Sequence, residues 1–434
     1  MKRIYFMVAV LVSLLMAGQA VFAQDSNENS SGFTMTGVMT TGVFVHFTDM
    51  FDQGPFIMMM GSEGDPIKFN FGTRWLASDG NAGLYLNVEA STGAITINKD
   101  QTVSVHDKKV NFGEAYGWVK GFNGLLTVYG GYWDPSLYKT RGALDSDLNM
   151  KNTGLMFEFN PVPGLYLAPS VWAKKGDTTL IGEAKYMFSA KFIQEGLFET
   201  IINYAHHQLD NLGFTNEDNS STYREQAAKD QRVNFGFNWT GFKDIGITKL
   251  AFDFEARDLG GGRKAYIDNR TYLPAGEVVY PLYFGQWIQW QNFGFNVNLK
   301  GYQLIRIGDG VDEVRENYAP AMRFVLDVAY AVNNYIVPKV GVGYYMNSQV
   351  WGRSTDDLRF ERFTDEKLSA WEDCIKDTGG IGLRIGSEFR FQGNTNRFME
   401  VGYSMKKDLT KDAEPGISVS TIDHGFYATL RIGL

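Results

Sequence analysis

Apolar and polar residues alternate along most of this chain with a period of two. In Val233-Asn-Phe-Gly-Phe-Asn-Trp239 the odd positions are apolar and the even ones Asn or Gly, and Phe293-Gly-Phe-Asn-Val-Asn-Leu299 repeats the scheme. A strand sends successive side chains to opposite faces, so each such segment predicts one greasy face and one polar face. The clearest strands by this test are Ile67–Leu76, Leu84–Ala90, Val233–Trp239, Leu250–Ala256, Phe293–Leu299, Met322–Tyr330, Ile381–Phe391 and Met399–Met405. Weaker alternation predicts Gly32–Phe47, Val110–Phe122, Leu125–Trp133, Gly154–Phe159, Leu165–Lys174, Leu180–Phe192, Phe198–His207, Tyr283–Trp290 and Tyr335–Met346. With the last segment, His424–Leu434, the pattern predicts about eighteen strands, with sixteen as the alternative.

The connections between them alternate in length. Short ones such as Asn123–Gly124, Asn160–Gly164, Gln291–Asn292 and Asn333–Asn334 carry the Gly, Asn and Pro that tight hairpins demand. At every second junction lies a longer polar segment, among them Thr48–Pro66, Asp134–Asn152, Gln208–Gln231, Asp258–Leu282 and Asn347–Gly379, except that Lys175–Thr179 fills such a slot and is short. Short turns on one side and long loops on the other are the habit of a closed antiparallel transmembrane β-barrel. A propeller would show a four-strand period of roughly 40–50 residues, and none is visible.

In the last segment Phe426, Ala428, Leu430, Ile432 and Leu434 fall on one face, and Tyr427, Thr429, Arg431 and Gly433 on the other. At the opposite end, Met1–Ala23 has the parts of a secretory leader: Lys2 and Arg3, an apolar run from Met7 to Met16, and Val21-Phe22-Ala23 before Gln24. On these residues the chain resembles the bacterial outer-membrane porins, whose final strand is amphipathic and serves as the assembly signal. The family usually ends in Phe, and Leu434 departs from that. The resemblance implies a leader over 1–23 and one barrel over 24–434, located in the outer membrane with both termini periplasmic. It implies as partners outer-membrane lipid with lipopolysaccharide or its equivalent, the barrel-assembly machinery and small hydrophilic solutes. Homotrimers and monomers both occur among barrels of this kind.

Composition agrees with a wet interior. Gly numbers 48 and Pro 11, aromatics make up 15% and charged residues 21%, and mean hydropathy is −0.22. A helical membrane bundle cannot be that polar, whereas half of each barrel strand faces water. The formal net charge is −8, which argues against a nucleic-acid partner. The single cysteine, Cys374, can form no internal disulfide.

Parity assigns most strand charges to the face opposite the apolar one. Thirteen bases and eight acids fall there, an excess of positive charge inside an acidic protein. The candidate pore lining is Arg74, Lys249, Lys300, Arg323, Arg384, Arg390 and Arg431. A cationic lumen concentrates anions, which predicts weak anion preference. The opposing reading is that these charges pair between adjacent strands and only keep the pore wet.

The third long connection, Asp134–Asn152, corresponds to the loop that folds inward in the porins. It offers Tyr138, Lys139, Arg141, Asp145 and Asp147 as constriction candidates. An exposed surface loop is the alternative, because the family's local Pro, Glu, Phe and Gly signature is missing. Trp75, Trp118, Trp133, Trp172, Trp239, Trp287, Trp290 and Tyr403 lie near strand ends and suit an interfacial girdle better than a lumenal sugar track. His206 and His207 point to opposite faces of one strand and cannot readily share a metal. No metal site, cofactor site or catalytic triad is discernible, and no enzyme is expected.

The function implied is passive diffusion of small hydrophilic solutes and ions through a water-filled channel. A surface adhesin or receptor that displays long external loops is the alternative. A plugged importer does not fit, since only Gln24–Ser31 separate the leader from the first strand.

Overall fold

The computed structural model describes residues 32–48, 56–59, 67–92, 95–97, 103–105, 109–146, 148, 150–173, 184–208, 229–257, 259, 263–264, 278–308, 320–347, 379–409 and 422–433. The leader expected over 1–23, Asp147, Cys374, Leu434 and residues 356–377 lie outside the described residues.

Eighteen strands make the wall. They are β1 (Gly32–Thr48), β2 (Ile67–Leu76), β3 (Ala82–Thr92), β4 (Lys109–Gly121), β5 (Leu126–Trp133), β6 (Asn152–Val162), β7 (Leu165–Trp172), β8 (Lys185–Gln194) and β9 (Phe198–Gln208). They continue with β10 (Lys229–Trp239), β11 (Ile247–Ala256), β12 (Val278–Asn292), β13 (Phe295–Gly308), β14 (Ala321–Tyr330), β15 (Ile336–Met346), β16 (Gly379–Arg390), β17 (Arg397–Asp408) and β18 (Ile422–Gly433). Each pairs antiparallel with the next, and β18 returns to β1 in register from Val38↔Gly433 to Thr48↔Asp423. The sheet is therefore a closed antiparallel barrel of eighteen strands, and every predicted strand has its counterpart. Four short strands, Phe56–Met59, Ile95–Ile97, Val103–Val105 and Arg263–Lys264, extend from the wall at the end carrying the long connections.

The tight turns follow local chemistry. In the β2–β3 turn Gly80 takes φ +68°, and the Asn81 backbone N–H and side-chain amide donate to the Asp79 carboxylate at 3.0 and 3.2 Å. Those two bonds hold the Asp79 carboxyl below its ordinary range. In the β14–β15 turn the Asn333 side-chain oxygen accepts from the backbone N–H groups of Tyr335 and Ile336.

Parity sorts the two faces as the alternation predicts. Leu84, Phe112, Phe157, Phe188, Phe252, Leu326, Ile385 and Phe426 point outward and are exposed, while Tyr85, Glu158, Asp253, Arg323 and Tyr427 point inward. The closing strand is keyed by Tyr427. Its hydroxyl donates to Glu400 at 2.9 Å and accepts from Arg384 Nε at 2.9 Å, and its ring lies over Gly386 and Gly402. A Cβ on Gly402 would overlap the Tyr427 hydroxyl and the Ile385 carbonyl. Gly402→Val is expected to cost about 1–3 kcal/mol of barrel stability, read from urea midpoints in detergent micelles.

Candidate functional site

The inner wall is polar over much of its circumference but carries two apolar stretches among the described residues, the smaller formed by Tyr283, Tyr302, Leu304 and Ala321 on β12 to β14 against Leu144. On β5 to β9 the inward positions include Trp133, Met156, Ala168, Trp172, Met187 and Ala205, all buried. Such residues cannot line a wet channel without cost. They are covered by the connection between β5 and β6.

That connection, residues 134–151, folds into the barrel. Tyr138, Leu148 and Met150 pack on the larger apolar stretch, with Trp133 bridging Tyr116, Tyr129 and Trp172 at ring-centre distances of 5.2–5.3 Å. Polar wall residues then fix the loop backbone. Lys191 Nζ donates to the Leu137 carbonyl at 3.2 Å, and Asn203 Nδ2 donates to the Tyr138 carbonyl at 2.7 Å. Asn234 Nδ2 donates to the Ser146 carbonyl at 3.1 Å. Asp253 receives the Thr140 hydroxyl at 3.0 Å and the backbone N–H groups of Leu144 and Asp145 at 3.0 and 3.1 Å. Glu255 receives the Ser146 hydroxyl at 2.5 Å. Gly142 and Gly285 let the loop reach Asp253, since a Cβ on either would overlap its carboxylate.

The loop candidates divide accordingly. Tyr138 is buried in the loop's root, donating to Glu158 Oε2 at 2.7 Å. Burial and the Glu158 carboxylate push its hydroxyl well above the usual tyrosine range, so it stays a neutral donor. Lys139 pairs with Asp134 at 3.2 Å, and Arg141 reaches Glu199 on β9 at 3.9 Å. Asp145 is exposed at a left-handed position, φ +44°. Asp147 lies outside the described residues.

The predicted lining residues occupy inward positions, but in separate groups. Arg74 lies 5.1 Å over the Trp118 ring. Lys249 and Lys300 meet on one ring, Trp287, at 3.3 and 4.4 Å from its centre. Arg323 is fully buried between Tyr302 and Tyr345, 5.5 and 4.9 Å from their ring centres. Arg431 sits on the inward parity of β18, exposed and paired in register with Phe398.

No family model matches the chain, and no curated protein matches it. It is similar to solved outer-membrane proteins. The loop L8 deletion mutant of OmpT, an outer membrane protein of Vibrio cholerae, is 13% identical, with 92% of this chain and 99% of that chain covered and a TM-score of 0.42. The outer membrane protein OprD from Pseudomonas aeruginosa is 7% identical, with coverage of 95% and 99% and a TM-score of 0.47. Pseudomonas aeruginosa OccK3 is 9% identical, with coverage of 92% and 96% and a TM-score of 0.47.

Arg384 and Arg390 belong to a network that the opposing, pairing reading anticipates. Arg384 binds Glu400, Arg390 binds Glu388 at 2.6 Å, and Lys339 spans both acids at 2.5 and 2.9 Å. Lys339 is absent from the sequence candidates. Its neighbours Val337 and Pro338 put an apolar residue inward and break the alternation on which the parity assignment depends.

The aromatics also divide. Trp75, Trp239, Trp290 and Tyr403 lie on the outward parity, as a girdle requires. Trp118, Trp133, Trp172 and Trp287 instead turn inward, correcting the expectation for those four. They pack under the loop or beneath cations rather than at a lipid interface.

Proposed function

We propose that this chain is an outer-membrane channel through which small hydrophilic solutes and ions diffuse passively. The reading rests on one observation above others. A closed barrel with an apolar exterior holds an inward loop clamped by buried carboxylates and amides, with half-buried Lys139 and Arg141 and exposed Asp145 on it. Such a loop narrows a lumen without sealing it by a separate plug domain. The exterior suits outer-membrane lipid, with short turns and both termini on the periplasmic side, and no enzymatic chemistry is assigned to it.

Weak anion preference belongs to the same reading. Ions sense lumenal charges within about a Debye length, roughly 8 Å at physiological salt. Arg384 and Arg390 share Glu388 and Glu400 with Lys339, so their contribution to the field is partly offset. In this reading Arg74, Lys249, Lys300, Arg323, Arg384, Arg390 and Arg431 carry the preference together. In planar bilayers the purified protein is expected to give discrete open steps, and a salt gradient a zero-current potential on the chloride side. A barrel that serves only to display loops would give no steps, and potassium preference would overturn the selectivity.

A further inference from the structure

The outer wall carries two amides at a depth where lipid tails should lie. Phe252 and Phe324, both exposed, mark the outward parity of β11 and β14, and between them in register stand Gln286 on β12 and Gly301 on β13. Gln303 faces outward as well, opposite Phe284 and Met322. Trp290, paired with Val297, belongs to the girdle on the short-turn side. At a rise of about 3.4 Å per residue and a strand tilt of about 40°, Gln286 lies about 10 Å and Gln303 about 15 Å above it, inside an apolar band about 25 Å tall.

The wall itself does not satisfy these amides. Gln286 lies flat across Gly301, its Oε1 2.8 Å from where a Cβ on that glycine would sit, with the Phe324 ring 3.5 Å from the same point. Among the described residues no hydrogen bond reaches the side chain of Gln286 or Gln303. Thr200 shows the contrast: on the same outer face its hydroxyl donates to the Gly236 carbonyl at 3.2 Å. Hydrocarbon offers an unmet amide no water, so its free-energy cost persists until another protein group supplies a donor and an acceptor. Two barrels inserted in one direction touch at equal depth. A two-fold axis along the bilayer normal therefore sets Gln286 against its own copy and Gln303 against its own copy. A primary amide both donates and accepts, so each pair is self-complementary. Gly301 leaves out the side chain that would hold the two walls apart.

We propose that the outer face of β12 and β13, at Gln286, Gly301 and Gln303, is the interface through which two copies of this chain pair in the membrane. The proposal needs the barrel's lipid-facing exterior and not its conductance. Its test is the mass of the full-length protein by sedimentation equilibrium in detergent micelles, repeated by chemical cross-linking in lipid vesicles. Wild type should be a dimer, and Gln286→Leu/Gln303→Leu should raise the dissociation constant at least about ten-fold. Leucine makes the wall more apolar, so the variant should insert no less well, and pairing driven by greasy surface alone would persist or tighten in it. A wild type that is monomeric in both media, with lipid alone against the amides, overturns the interface. A wild-type trimer, or a variant that pairs as tightly as wild type, overturns it too. Should the double variant fail to fold, each single substitution gives the same reading at smaller size. An absence of open steps in planar bilayers would count against the channel reading and not against this interface.

Discussion

Replacing Asp253 by alanine is expected to loosen the inward loop and raise single-channel conductance. Three loop donors converge on this carboxylate: the Thr140 hydroxyl and the backbone N–H groups of Leu144 and Asp145. Hydrogen bonds to a charged group contribute about 1.5–3 kcal/mol each, and donors left buried without an acceptor cost a comparable amount. Water entering from the lumen can satisfy some of them, so the net loss of tethering should be about 3–5 kcal/mol. Asp253→Asn should give a smaller effect, because it keeps one acceptor oxygen and the volume. Glu255→Gln should have the mildest effect, since the Ser146 hydroxyl can still donate to an amide oxygen. Conductance, and the size limit for sugars entering liposomes, would read the widening. Proteolysis at residues 139–146 would read the loosening. If Asp253→Ala leaves all three at wild-type values, the wall does not hold the loop through this residue.

Placing a charge on the outer face should be the most damaging change to the wall itself. Phe252 and Leu326 point outward near strand middles and are exposed, as a lipid-facing position requires. Phe235 and Leu430 share that parity. Arginine at any of the four is expected to cost about 2–4 kcal/mol near the bilayer midplane. Asn298→Arg, on the inner face, should cost far less. Unfolding in urea from lipid vesicles would measure both, and equal costs would show that the faces are misassigned. Asn234 shares the inner parity of its strand and by pattern alone should tolerate arginine equally well. It is fully buried, accepts from Asn203 at 2.7 Å and holds the Ser146 carbonyl. Arg at Asn234 is therefore expected to behave like a core mutation and to displace the loop.

The contrast between Asn234 and Asn298 marks the limit of pattern reading. Each is an Asn on the polar parity of an alternating strand, and one-dimensional periodicity treats them alike. What separates them is the loop from β5 to β6, which crosses the interior and covers one but not the other. A trace of that crossing was legible. On β6, Met156 lies between outward Leu155 and Phe157, so both parities are apolar, and Met187 and Trp172 repeat this on neighbouring strands. An apolar inner wall in a channel signals that something lies against it.

The sequence by itself determined the barrel, a count of about eighteen strands with sixteen as the alternative, the short turns and the inward or outward sense of the clearly alternating strand residues. These are local properties: strand geometry imposes a period of two, and turn chemistry acts over two or three residues. Only the tertiary structure decided how the inward charges are grouped. Lys339, Arg384 and Arg390 meet Glu388 and Glu400 because β15, β16 and β17 are in one register, and Lys249 meets Lys300 through a tryptophan on the strand between them. Register and loop path arise from contacts between residues distant in the chain, such as Thr140 and Asp253, 113 positions apart. Alternation places a charge in the lumen, and the company it keeps there is set by the closed sheet and by the loop folded inside it.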